Sequence, residues 1–336
     1  MPESQANATL EIRDLNISFI QGEKEANALR GISLSLKRNE VHSLVGESGS
    51  GKTVTSTCVM GLLPSPPAVL NSGKIILGNQ DLLLLNEKEQ RQIRGQQIAM
   101  VFQEPARYLN PTLKVGDQIT EMLILHLGMD KNSSVKRALE ILDLVGLEGG
   151  KRILDSYPHE LSGGMKQRIM IAIAISCNPS FLIADEPTTA LDVTLQLQIL
   201  NLMLSLKNTL NMGILFISHD LRVVHDISDW VSVIYAGRIV ESASREELFA
   251  NSKHPYTRLL LESIPDADKR GKRLQTIPGK VPDAENIPSG CAFHTRCPIA
   301  EDICKTTLPE TKEVGSSDSV STHTAACHFI GKQWKN

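Results

Sequence analysis

Apolar and polar residues alternate from Ile32 to Lys37, with Ile32, Leu34 and Leu36 set against Ser33, Ser35 and Lys37. A period of two predicts a strand buried on one face. Val41 to Val45 predicts a second strand, and Lys74–Leu77 and Ile98–Phe102 two more short ones. Between Val135 and Val145 the period changes. Val135, Ala138, Leu139, Leu142 and Val145 fall at helical spacing, and Met165 to Ser176 also reads as helix. There follow a buried strand, Phe181–Ala184, an amphipathic helix from about Val193 to Leu210, and a strand, Ile214–Ile217. Trp230–Tyr235 and Arg238–Glu241 flank an Ala-Gly turn and predict a hairpin. Ser244 with Glu247 has the spacing of a capping box for a short helix.

Strands alternating with helices predict an α/β core with a mainly parallel sheet. The stretch from about 106 to 175 lacks strand patterns and is expected to be an inserted helical subdomain. After about residue 265 the character shifts, with Pro265, Pro278, Pro282 and Pro288 in quick succession and then four cysteines. The expected division is a main domain over 9–264 and a loop-rich appendage over 265–336.

The chain's 336 residues are 41% hydrophobic and 22% charged, with a net charge of −3. That balance gives no electrostatic footprint for nucleic acid. The basic run Lys269, Arg270, Lys272 and Arg273 reads as a solvated linker. The longest apolar stretch, Ile169 to Ala184, is broken by Ser176, Asn178, Pro179 and Ser180, so no membrane span is expected. No basic start leads into an apolar run at the N-terminus, so no signal peptide is expected. A cytosolic protein follows, whose six cysteines are thiols or metal ligands rather than disulfides.

Gly46-Glu47-Ser48-Gly49-Ser50-Gly51-Lys52-Thr53 fits G-x-x-x-x-G-K-[ST] between a strand and a helix. Such a loop bends its N–H groups inward to form a nest for phosphate oxygens. Lys52 is expected to reach the β- and γ-phosphates of ATP, and the Thr53 hydroxyl to ligate Mg²⁺. Phe181-Leu182-Ile183-Ala184-Asp185-Glu186 supplies the acidic counterpart, a buried strand ending in two carboxylates. Asp185 is expected to hold Mg²⁺ through water, and Glu186 to orient or deprotonate the attacking water.

Leu161-Ser162-Gly163-Gly164-Met165 resembles the LSGGQ signature of the ABC ATPase family, with Met165 in place of glutamine. Other elements resemble that family in its order. Gln103 looks like the Q-loop glutamine, Ala190-Leu191-Asp192 like the D-loop and His219 like the switch histidine. Phe19 sits where an aromatic packs on adenine, and is equally readable as core. The resemblance implies a P-loop NTPase core of ABC type with a β-rich N-terminal subdomain, an inserted α-helical signature subdomain and a small C-terminal appendage. It also implies that Ser162, Gly163 and Gly164 face ATP held by a second subunit.

His254-Pro255-Tyr256-Thr257 with Leu259-Leu260 is similar to the C-terminal extension of dipeptide and oligopeptide transporter ATPases. That resemblance implies a second ABC ATPase subunit, by preference a paralogue, two integral membrane permease subunits and an extracytoplasmic substrate-binding protein. The chain would then sit peripherally on the cytoplasmic face of the inner (plasma) membrane. Import of nickel or another small solute, or a non-transport ABC ATPase, are the alternatives. One phosphate loop and no sustained heptads favour transport. For Cys291, Cys297, Cys304 and Cys327 the resemblance implies a [4Fe–4S] cluster. Their spacing alone also admits zinc or free thiols. Cys58 and Cys177 stand apart in apolar surroundings and read as buried fillers.

Overall fold

The computed structural model describes residues 9–189, 191–264, 276–314 and 322–332. The basic run at 269–273, Pro265 and the D-loop residue Ala190 lie outside them. Along the chain the elements are β1 (Thr9–Gln21), β2 (Lys24–Lys37), β3 (Val41–Val45), α1 (Lys52–Val59), β4 (Ala68–Leu77) and β5 (Gln80–Asp81). Next come α2 (Glu87–Ile93), β6 (Ile98–Val101), α3 (Pro105–Tyr108), α4 (Val115–Leu127), α5 (Lys131–Leu144), α6 (Gly150–Asp155) and α7 (Gly163–Ile175). Then follow β7 (Phe181–Asp185), α8 (Val193–Leu210), β8 (Gly213–Ser218), α9 (Leu221–Ile227), β9 (Trp230–Tyr235) and β10 (Arg238–Ser244). The last are α10 (Arg245–Asn251), α11 (Pro255–Glu262), α12 (Asp302–Thr306), β11 (Lys312–Glu313) and β12 (Thr324–Ala325).

These elements form two compact units. One gathers Leu36–Glu40 and Gln80–Ile217, the other Glu11–Ser35, Val41–Asn79 and the chain from Ser218 onward. In the first unit β6, β7 and β8 run parallel, with Ile98 opposite Phe181 and Asp185 opposite Ile217. Every residue of β6, β7 and β8 is buried. Parallel strands covered on both faces are apolar throughout rather than alternating, which is why the sequence shows unbroken runs there. Helices α3 to α7 make up the strandless stretch. Val115, Ile119 and Leu123 form the inner stripe of α4, and Ala138, Ile141 and Leu142 that of α5. Asp130 starts α5 by accepting N–H bonds from Asn132 and Ser133, satisfying donors that a helix start leaves open.

In the second unit β1, β2 and β4 are neighbours in the β-rich N-terminal sheet. Separately, β3 pairs in parallel with β9, and β9 turns through Ala236-Gly237 into antiparallel β10. Both turn residues have positive φ, the demand of a two-residue turn whose twist matches its strands. Ser244 accepts the N–H of Glu247 and starts α10. The tail does more than trail. Ala325 and Thr324 of β12 pair with Glu241 and Ser242 of β10. Phe293 is fully buried with Val45, Val233, Tyr235 and Tyr256. A segment poor in apolar residues thus shares the unit's core instead of building its own.

Candidate nucleotide site

The phosphate loop leaves β3 at Gly46 and enters α1 at Lys52, with Gly51 at the N-cap at φ 109. A Cβ on Gly46 would lie 2.3 Å from the carbonyl of Ile234, so only glycine lets the loop pass β9. The Lys52 ammonium is buried and donates to the carbonyls of Gly46 (2.8 Å) and Glu47 (3.0 Å). Ser48, Gly49 and Thr53 are exposed. Ser50 is 1% exposed, and its hydroxyl has no hydrogen-bond partner. A buried hydroxyl without a partner, in a glycine-rich loop that opens a helix, fits a loop built to surround a phosphate. Glu47 points elsewhere. Its carboxylate takes both Nη atoms of Arg296 at 3.0 Å each, and its N–H donates to the Tyr256 hydroxyl at 2.9 Å.

In the other unit the acidic pair closes β7. Asp185 is buried opposite Ile217. Glu186 has φ 47, a left-handed conformation that costs a non-glycine residue about 1–3 kcal/mol and tends to persist at functional sites. Its N–H donates to the carbonyl of Ile217 at 3.0 Å. Its Oε2 accepts from Gln103 Nε2 and from Thr189 Oγ1, each at 3.0 Å. The sequence pointed to Gln103 and Glu186 separately and missed Thr189, although three-residue spacing after a strand end is the signal of such a local bond. Phe102, just before Gln103, stacks on the exposed Tyr108 with ring centroids 3.9 Å apart.

The signature lies at the start of α7. Ser162 is its N-cap and accepts the N–H of Met165 at 3.3 Å. Ser162 and Gly163 are exposed, and a Cβ on Gly163 would meet nothing within 4 Å. Gly164 packs on Leu195, whose N–H donates to Asp192, the N-cap of α8. One helix start therefore steadies the other. His219 is exposed where β8 ends, next to Asp220, the N-cap of α9. Phe19 is half-buried, beyond the fully buried Leu15 and Ile17 on β1.

Comparison with known proteins gives these features a family. Residues 29–189 match the ABC transporter family model, and residues 240–304 match the model of the oligopeptide/dipeptide transporter C-terminal region. The oligopeptide transport ATP-binding protein AppD of Bacillus subtilis is 47% identical over 300 residues, covering 89% of this chain and 92% of that relative. The chain belongs to the oligopeptide/dipeptide transport ATP-binding proteins of the ABC family. The dipeptide transport ATP-binding protein DppD of Bacillus subtilis is 44% identical over 318 residues, covering 95% of this chain and 93% of DppD. Among solved structures, a dimeric ATP-binding cassette in a post-hydrolysis state with ADP and phosphate is similar, with TM-score 0.63 and 28% identity. It covers 70% of this chain and 98% of that one. As a family member the chain is an ABC ATPase. Among the described residues no helix is long and apolar enough to cross a membrane.

The tail of this ATP-binding protein holds the four-cysteine set. The N–H of Cys291 donates to the carbonyl of Cys304 at 2.9 Å. Cys327 Sγ accepts the N–H of Phe329 at 3.4 Å. Burial pushes the thiols of Cys291 and Cys297 up, to about 11 and about 12, against main-chain N–H bonds from Phe293 and His294 to the first and from Ile299 to the second. Cys304 and Cys327 raise Cys291 further, so the four lie within one another's electrostatic reach. Among the described residues, no group of three or more His, Cys, Asp or Glu side chains is arranged to hold a metal ion. Cys58 and Cys177 are buried, and burial raises both thiols.

Proposed function

We propose that this chain is the ATP-hydrolysing subunit of an importer of di- or oligopeptides, working on the cytoplasmic face of the membrane. In this proposal residues 9–264 are the motor and 265–336 its extension. The partners are a second ATPase subunit, by preference a paralogue, two integral membrane permeases and an extracytoplasmic binding protein. The observation that carries the chemistry is Glu186, a left-handed residue whose carboxylate is held by Gln103 and Thr189 beside the buried Asp185. The peptide substrate is supported by the names of the relatives and by the match over 240–304.

Family membership is what assigns the phosphate loop and the acidic strand end to one nucleotide. Gly46, Ser48, Gly49, Ser50 and Gly51 wrap the phosphates, Lys52 meets their charge, and Phe19 packs on adenine. Thr53 and Asp185 supply the oxygen donors that Mg²⁺ takes; bound with ATP, Mg²⁺ offsets charge on the β- and γ-phosphates. Glu186 accepts the proton of the attacking water, with His219 near the γ-phosphate. Ser162, Gly163 and Gly164 serve the partner's nucleotide, and Asp192 shapes the segment between α7 and α8. The test is ATP-driven uptake of a labelled peptide by the reconstituted complex. Glu186→Gln is expected to keep ATP binding and lower turnover at least about 100-fold, the usual share of a general base. Uptake that proceeds normally with this variant, in a complex whose other site is also disabled, defeats the assignment.

The cysteines are proposed as ligands of one [4Fe–4S] centre, with zinc as the alternative. Burial raises the thiols of Cys291, Cys297 and Cys327, and a main-chain N–H group at each works against it; Arg30 and Arg238 lie within electrostatic reach of Cys291. Zinc, the alternative, requires four sulfurs about 2.3 Å from one point. Such a centre supplies cross-links to a tail poor in apolar residues. Protein purified without oxygen is expected to carry about four iron and four acid-labile sulfide per chain. One zinc without sulfide moves the assignment, and freshly reduced protein without metal ends it.

A further inference from the structure

Glu47 fills one of the freely variable positions of the phosphate loop, where the motif asks for no particular side chain. In this chain it is held at both its side chain and its backbone. Arg296 grips its carboxylate with both terminal nitrogens, while Arg296 Nε donates to the carbonyl of Pro278 at 2.7 Å. Arg296 Nη1 also lies 3.4 Å from the Tyr235 hydroxyl. A planar fork with every nitrogen engaged is fixed in direction as well as charge. The second grip is on the backbone, where the Tyr256 hydroxyl takes the Glu47 N–H.

The Tyr256 ring is set by a chain of bonds from the same end of the protein. Glu241, fully buried, accepts the N–H groups of Lys253 and His254 and pairs with His323 at 2.8 Å. His254 Nδ1 accepts the N–H of Tyr256 at 3.1 Å and caps α11. Tyr235, Tyr256 and Phe293 stack in mutual edge and tilted contacts, 4.7 to 5.3 Å between centroids. So the His254-Pro255-Tyr256-Thr257 motif aims a hydroxyl at the phosphate loop, and the cysteine-bearing tail aims a guanidinium at the same residue. Lys52 completes the line by donating to the Glu47 carbonyl.

We propose that Arg296 and Tyr256 are positioning residues for ATP binding, through which the C-terminal region sets the direction of the phosphate-loop N–H groups by holding Glu47. This inference rests on the loop binding ATP, as proposed above. The test uses the full chain and a fluorescent ATP analogue with Mg²⁺. Arg296→Ala is expected to weaken its Kd about tenfold, the scale of a small misplacement in a preorganised site. Arg296→Lys, which keeps the charge and loses the fork, should weaken it about threefold. Glu47→Gln combined with Arg296→Ala should be no worse than Arg296→Ala alone, because both act through one contact. Tyr256→Phe removes a single hydroxyl while keeping the ring, and should weaken binding about threefold even if Arg296→Ala fails to fold. A lower melting temperature with Kd within about twofold of wild type in the folded variants overturns the proposal, since the pair would then only hold the tail. Failure of the wild-type chain to bind the analogue would strike at the nucleotide assignment instead.

Discussion

Two glycine-rich helix starts in this protein are built from the same parts and finished in opposite ways. At the phosphate loop, Gly46 is pressed against β9, Ser50 and Lys52 are buried, and Glu47 is held by residues from the far end of the chain. At the signature, Ser162 and Gly163 face solvent, and the Ser162 hydroxyl accepts an N–H of its own helix. Behind the signature, α7 is as rigidly rooted as α1, with Ile169, Ile171 and Ala172 fully buried. Close by, Val193 and Leu197 at the start of α8 are 75% and 50% exposed. One nest is braced by its own chain. The other has a fixed base and an open face, which is what a site completed by a second subunit requires.

The largest effect that would break this comparison is expected at Ser162. In mixed assemblies, Ser162→Arg should silence the nucleotide site of the partner by about 100-fold or more, the scale of losing a phosphate-stabilising donor. Its own phosphate loop should still bind ATP. Turnover lost only at the nucleotide bound to the same chain would reverse the roles of the two nests.

A glycine pair sharpens the contrast in stability. Gly46→Ala places a Cβ against a backbone carbonyl and should destabilise by about 1–3 kcal/mol, as overpacking does. Gly163→Ala points into open space and should change stability by no more than about 0.5 kcal/mol. Thermal melting of the two variants checks this, and equal losses would mean that the signature is as enclosed as the phosphate loop.

The smallest effect concerns acid. His42, on the strand feeding the phosphate loop, is buried between the Ser35 carbonyl and the Ser232 hydroxyl. His254 lies buried under Tyr256. Burial lowers both imidazoles from 6.5 to about 4, with Ser35 opposing it at His42 and Glu241 opposing it at His254. Between those values the unfolded chain takes up protons that the folded chain refuses, so stability falls as pH drops from 6.5 toward 4. Each histidine adds a slope of up to about 1.4 kcal/mol per pH unit. His42→Gln should flatten the fall in melting temperature between pH 7 and 5, and an unchanged slope would show that His42 does not carry it.

Much of this site was legible before any coordinates. Val41–Val45, Val193–Leu210 and Trp230–Tyr235 match the elements expected from the pattern, because apolar period and turn chemistry act over a few residues. The first half of β2 escaped notice because Lys24, Glu25, Asn27 and Arg30 break up its few apolar residues, so no clear alternation marks it. Within the stretch from about 106 to 175, the patterns over Val135–Val145 and Met165–Ser176 marked α5 and α7, while α4 and α6 were not separately legible. Their limits depend on which stripe each helix presents to its neighbours.

Taken alone, the sequence determined both nests, the acidic strand end and the cysteine set, since each rests on a short run of residues whose backbone chemistry is local. Tertiary structure decided what each charge does. Glu47 and Glu186 are both acidic residues beside phosphate-handling motifs. One is neutralised by Arg296, 249 residues away, while the other is held by Gln103 and Thr189 in its own unit. A linear pattern gives each a place in its motif and names a partner for neither. A bidentate, half-buried ion pair depends on where two distant segments are brought by the burial of Tyr235, Tyr256 and Phe293, and that burial is a property of the packed core.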